Sequence, residues 1–126
     1  MKTRVLMLIL LAVVAGVLCI ALGGCGDSND FNRVIVTMIN NSNGDINMFI
    51  TPGEDFDPEN NLDPGDSRVF SREWALGQTV RFVTVNAGRN GDIIDAKLIQ
   101  ADFSDSRLRS YTATFANGVL TVVQTN

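Results

Sequence analysis

The sequence predicts an all-β protein: a small antiparallel β-sandwich of about seven strands after an apolar N-terminal segment. Three observations carry this. Short runs rich in Val, Ile and Thr recur from Arg33 onward, separated by turn clusters that contain Asn-Gly or Pro-Gly. No stretch after Cys25 spaces its apolar residues at helical intervals. The 102 residues after Gly24 are enough for one hydrophobic core and too few for two.

Residues 33–39 (Arg-Val-Ile-Val-Thr-Met-Ile) are β-branched and apolar, the pattern of a strand buried on both faces. Residues 46–51 alternate Ile46, Met48 and Ile50 against Asn47, Phe49 and Thr51, as a second strand should. The cluster between them, Asn40-Asn41-Ser42-Asn43-Gly44-Asp45, contains an Asn-Gly pair and predicts that the two strands form a hairpin. Residues 52–66 change in texture. They hold all three prolines of the chain and six acids, Glu54, Asp55, Asp57, Glu59, Asp63 and Asp66. No regular element fits, so the segment reads as one long loop, a kind of segment that is disproportionately functional or disordered.

Leu62-Asp63-Pro64-Gly65 launches a third strand over 67–74. Gly77 marks the next turn, and residues 79–86 are strongly β-prone. A turn at residues 87–92 holds Asn90-Gly91, and a fifth strand follows over 93–101 with Ile94, Ala96 and Leu98 on one face. Residues 102–107 are polar and read as a loop or one helical turn. Residues 109–116 place Tyr111, Ala113 and Phe115 inward, and Asn117-Gly118 returns the chain into a last strand over 119–124.

The N-terminus has its own logic. Lys2 and Arg4 precede an uncharged run from Val5 to Gly26, of which 5–22 is almost wholly aliphatic and ends in Leu22-Gly23-Gly24-Cys25. A cationic start, an apolar middle and small residues at the end make a secretory signal peptide. With Leu22 at −3, Gly23 and Gly24 at −2 and −1, and then Cys25, this stretch resembles the lipobox of a bacterial lipoprotein precursor. The resemblance implies diacylglycerol on the Cys25 sulfur and cleavage after Gly24. The chain then divides into a signal peptide (1–24), a short lipid-anchored tether (25–32) and a β-sandwich domain (33–126). Cys19 does not fit the motif, because Gly16 stands where Leu is wanted, and it leaves with the signal peptide. The other reading is an uncleaved anchor helix, since eighteen apolar residues are the lower end of what spans about 30 Å of hydrocarbon. Lys2 and Arg4 hold the N-terminus in the cytoplasm in both cases, so the domain faces away from it. The resemblance places the protein in the cell envelope, held to the membrane by its acyl chains. Gly26 rather than Asp directly after Cys25 favours the outer membrane.

The Leu62-x-Pro64-Gly65 step is similar to the turn that opens a strand in immunoglobulin-like and fibronectin type III modules. Those modules carry a Tyr four residues after the Pro, where this chain has Arg68.

Composition removes several function classes. The part after Gly24 keeps all fourteen acids but only eight of the ten bases, for a charge near −6. That balance argues against nucleic acid, whose binding draws mainly on phosphate neutralisation. There is no histidine, the commonest acid–base catalyst and metal ligand. With Cys25 acylated and Cys19 removed, no thiol remains for a nucleophile or for zinc. The glycines sit in the cleavage region or in turns and form no phosphate loop.

Two constellations stay in view. Asp55, Asp57, Glu59 and Asp63 are spaced so that carboxylates could converge on Ca2+, which takes six to eight oxygens. The order of a recognised calcium loop is absent, however, and the plainer reading is a solvated acidic loop. Trp74, with Phe70 on the same strand face, either fills the core or forms a binding patch beside Arg68 and Arg72. The expectation is a non-catalytic envelope lipoprotein, not an enzyme, whose sandwich contacts a protein partner. The alternative is a module binding polysaccharide or Ca2+ through the 52–66 loop.

Overall fold

The computed structural model describes residues 31–126, so Leu22, Gly23, Gly24 and Cys25 lie outside the described residues. Within 31–126 the chain forms eight strands: β1 (Phe31–Asn40), β2 (Ile46–Thr51), β3 (Asn61–Leu62), β4 (Ser67–Ala75), β5 (Val80–Arg89), β6 (Asp92–Asp102), β7 (Leu108–Ala116) and β8 (Val119–Gln124). They build two four-stranded sheets, in the orders β4-β1-β7-β8 and β3-β2-β5-β6. This is the small all-β sandwich expected, with the two-residue β3 as an addition inside the acidic segment.

The alternating pattern places the core as read. Ile46, Met48 and Ile50 of β2 and Tyr111, Ala113 and Phe115 of β7 are buried, and they meet Val34, Val36 and Met38 from β1. Val83, Val85 and Ala87 of β5 complete the middle. Each large aliphatic side chain removed from water there contributes about 1.5–3 kcal/mol.

Three expectations are corrected. First, β1 and β2 are not a hairpin: β1 pairs with β4 and β7, while β2 pairs with β3 and β5 in the other sheet. The reason lies in the turn. A two-residue hairpin of type I′ needs positive φ at both central residues. Asn90-Gly91 (φ 56 and 86) and Asn117-Gly118 (φ 53 and 78) meet that condition, and each closes a hairpin. Asn43 and Gly44 are not among the positive-φ residues. Instead, the buried Asn40 side chain shapes the crossover, accepting from the Ser42 amide and hydroxyl and donating to the Gly44 carbonyl. Because the chain leaves for the second sheet, β1 takes β7 as a parallel neighbour, and the other five pairings are antiparallel.

Second, β5 runs to Arg89, through residues read as a turn, and its pairing with β6 is irregular at Ala87/Gly88. The Ile94, Ala96 and Leu98 face of β6 is solvent-facing, with Leu98 66% exposed, while Ile99 and Ala101 fill the core. Third, β1 is buried on one face only. Ile35, Thr37 and Ile39 stay half-exposed, with no segment of the described residues over them.

Segment 52–66 is also more structured than a bare loop. Pro58–Asn60 forms a 3-10 turn capped by Asp57, and β3 follows. Asp63-Pro64-Gly65-Asp66 closes a turn with Asp66 N–H donating to the Asp63 carbonyl, and Gly65 takes the positive φ that the third position of a type II turn requires.

Candidate interaction surface

The two sheets differ in what covers their outer faces. On the β3-β2-β5-β6 sheet, residues 52–60 fold back over the outward positions. Phe56 meets Phe49 edge-to-face at 5.7 Å, and a Cβ added at Gly88 would stand 2.6 Å from the Phe56 ring. Asn47 and Asn86, outward on β2 and β5, are thereby buried. Asn47 donates to the Asp57 carbonyl, and Asn86 to the Thr51 hydroxyl at 3.0 Å.

This folding-back decides what the acidic residues do. The Asp57 carboxylate accepts from the Glu59 amide at 2.8 Å as the cap of the 3-10 turn. The Asp55 carbonyl receives the Asn60 side chain. Glu54, which was not singled out, pairs with Arg68 and accepts from the Ile50 amide. Asp55, Asp57, Glu59 and Asp63 are not brought together: among the described residues, no group of three His, Cys, Asp or Glu side chains is placed to hold a metal ion.

Trp74 projects to the core side of β4 and packs, with Phe70, against the edge of the hydrophobic cluster. Two guanidinium groups approach its indole, Arg72 at 5.1 Å and Arg81 at 5.9 Å from the ring centroid. Arg72 is itself held by the Pro52 carbonyl. The aromatic is thus half-buried structure rather than an open platform.

Among the described residues no segment covers the outer face of the β4-β1-β7-β8 sheet in this way. Strand register arranges it in rows. Val69, Thr37, Thr112 and Val123 form one row across all four strands, and Ser67, Ile39, Thr114 and Thr121 form the next. Ser71, Ile35 and Ser110 make a third. Charge enters only at the following row, where Arg33 and Glu73 pair with each other. Val69 is 63% and Val123 57% exposed. At strand spacings of about 4.8 Å and rises of about 3.3 Å per residue, the three uncharged rows cover roughly 350 Å². The apolar part of this surface is Ile35, Ile39, Val69 and Val123, and the other residues of the three rows carry hydroxyls.

No protein-family model matches the chain, and no curated protein and no solved structure matches it either.

Among the described residues three titratable groups are perturbed, all for structural reasons. Burial pushes the Tyr111 phenol above the usual tyrosine value, and its hydroxyl has no hydrogen-bond partner. The Leu120 amide, donating to Asp95, holds that carboxylate below the usual aspartate value. The Ser104 amide does the same for Asp102. The Asp102 charge adds to the rise at Tyr111 and the Arg109 guanidinium opposes it, whereas Asp95 is held by β8 through Leu120. Among the described residues no helix is long and apolar enough to cross a membrane.

The uncovered face was not legible in advance. The strand content was, and β1 as a strand buried on both faces was the nearest signal. What it lacked was any indication that residues 52–60 would cover one sheet and leave the other bare.

Proposed function

We propose that this protein is a non-catalytic envelope lipoprotein, anchored through Cys25, that uses the outer face of the β4-β1-β7-β8 sheet to hold a protein partner. The observation that carries the reading is the run of three adjacent rows on that face without a charged residue, in a chain of net charge −4. The chemistry points to a partner whose own contact surface is flat, uncharged and rich in aliphatic and hydroxyl groups. An ionic surface would be desolvated there without compensation. A footprint of roughly 350 Å² per side is less than half of what specific complexes bury, about 800 Å² per partner. Membrane attachment offsets this by confining both partners to one surface and raising their effective concentration. The lipobox Leu22-Gly23-Gly24-Cys25 supports the envelope location, with the outer membrane favoured. The likeness to immunoglobulin-like modules rests on the Leu62-to-Gly65 step alone.

The test is affinity capture of the acylated full-length protein from detergent-extracted membranes, with Thr37→Arg beside the unaltered chain. Thr37 lies on the inner strand β1, in one of the two four-residue uncharged rows of the face, and a guanidinium there would meet an uncharged partner. A definite partner captured by the unaltered protein and lost with Thr37→Arg supports the reading. Equal recovery by both, with the variant folded, would remove this face from consideration.

A further inference from the structure

At one end of the sandwich three connections converge: the β1–β2 crossover, the β5–β6 hairpin turn and the β7–β8 hairpin turn. Between them lies a concavity of about 510 Å³, lined by Asn41, Asn43, Asn117, Arg89 and Ile94 among others. A second concavity, about 400 Å³, opens on the other side of Arg89 and is bounded by Phe56 and Asn61. Arg89 is the ridge between them. Its Nε donates to the Asp45 carbonyl at 2.9 Å, which fixes the guanidinium plane. Gly44 admits this placement, since a Cβ there would be 3.2 Å from an Arg89 terminal nitrogen. Among the described residues, no carboxylate lies within salt-bridge distance of Arg89, and its terminal nitrogens donate to no protein acceptor.

We propose that this end of the sandwich binds a sugar bearing a carboxylate, with that carboxylate on the terminal nitrogens of Arg89. The argument is chemical. A guanidinium oriented through its Nε hydrogen bond, with the four N–H donors of its terminal nitrogens unused by the described residues, matches a planar carboxylate in a bidentate pair. One cation in an acidic protein suits a singly charged group better than a phosphate dianion, which would want several. In the first concavity Asn41, Asn43 and Asn117 each present a donor and an acceptor, the complement of sugar hydroxyls; the second is also lined by the acidic Asp45, so the ligand's carboxylate belongs on the first-concavity side of Arg89. Ile94 on one side and the exposed Phe56 ring on the other give the C–H faces of sugar rings an apolar wall. Each concavity falls within the range of small-ligand sites, so a ligand of more than one ring can lie across the Arg89 ridge. The site is distinct from the outer sheet face and does not depend on it.

The probes are N-acetylmuramic acid, whose carboxylate is on a lactyl ether, glucuronic acid, whose carboxylate is on the ring, and the uncharged pair N-acetylglucosamine and methyl glucuronate. Full-length protein in detergent micelles is titrated and followed by amide chemical shifts. Binding of at least one acid, with shifts at residues 41–44, 89–91 and 117–118 and an affinity at least tenfold above its uncharged counterpart, is the expected result. Which acid binds tells the two sources apart. Arg89→Gln should abolish the preference for the charged probe, and Asn43→Ala should weaken the charged and uncharged sugars alike. Equal affinity for charged and uncharged probes, or no shifts at this end of the sandwich with any of them, overturns the proposal. So does an unaltered preference in folded Arg89→Gln.

Discussion

The Asn40 side chain, fully buried at the end of β1, donates from Nδ2 to the main-chain carbonyl of Leu62 in β3 at 2.8 Å. That bond ties the two sheets together where the chain crosses between them. The same amide holds the crossover through Gly44 and Ser42. Asn40→Ala strands the Leu62 carbonyl and the Ser42 amide, and should cost about 2–4 kcal/mol, since each buried polar group left unpaired costs about 1–3. Thermal unfolding followed by circular dichroism measures it. A loss below about 0.5 kcal/mol, the scale of an ordinary surface substitution, would contradict this role.

Gly88 is required by crowding rather than by its backbone angles. An added Cβ would meet the Phe56 ring at 2.6 Å and the Asp92 carbonyl at 2.7 Å. Gly88→Ala should therefore destabilise by about 1–3 kcal/mol and expose residues 52–60 to protease. Adding Phe56→Ala should recover only part of the loss, because the Asp92 carbonyl is main chain and stays in place. Full recovery would mean that the ring was the only obstacle.

The two faces of β6 can be separated by one pair of substitutions. Ile99 is 3% exposed and Leu98 66%. Ile99→Ala should cost about 2–4 kcal/mol, and Leu98→Ala less than about 0.5. Comparable losses from denaturant titration would return Leu98 to the core.

Asp95 predicts a pH dependence. Its Oδ2 accepts from the Leu120 amide at 2.9 Å, joining the edges of the two sheets, while its Oδ1 accepts from Ala96. Its folded pKa is lowered, chiefly by the Leu120 bond. The stabilisation is thus fully present above the unfolded aspartate value, about 3.9, and is lost as pH falls through the lower folded value. Between about pH 4 and pH 2, the midpoint of thermal unfolding should fall less steeply for Asp95→Asn than for the unaltered protein. Parallel curves would show that the Leu120 contact carries no net energy.

Cys25→Ser tests the anchor independently of the fold. Two or three acyl chains, at about 0.8 kcal/mol per buried methylene, hold a protein at a bilayer, and one holds it only marginally. Without the thiol, the protein should lose its acyl modification and its membrane fraction, while the melting of the sandwich stays within error. A variant that is still processed and membrane-bound would contradict the lipobox reading.

Much of the architecture was legible because the signals were local. Alternation placed Ile46, Met48, Ile50, Tyr111, Ala113 and Phe115 inside, and Asn117-Gly118 turned its hairpin as its residue types demand. The same reasoning failed at Asn43-Gly44. Residue type permits positive φ there without enforcing it, and the alternative hydrogen bonds come from Asn40 and from Leu62, far along the chain. Leu98 reads as apolar in any window, and only the pairing of β6 with β5 decides which way it points.

By itself the sequence determined an all-β domain with one core, no histidine to catalyse with, and an N-terminal stretch that resembles a lipobox, since composition and short-range pattern suffice for these. Tertiary structure decided which sheet each strand joined, that residues 52–60 cover one outer face and not the other, whose three adjacent rows carry no charge, and that Arg89 has no carboxylate partner among the described residues where it stands between two concavities. Those outcomes depend on contacts between residues far apart in the chain, such as Asn40 with Leu62 and Asn47 with Asp57, and no local pattern records them.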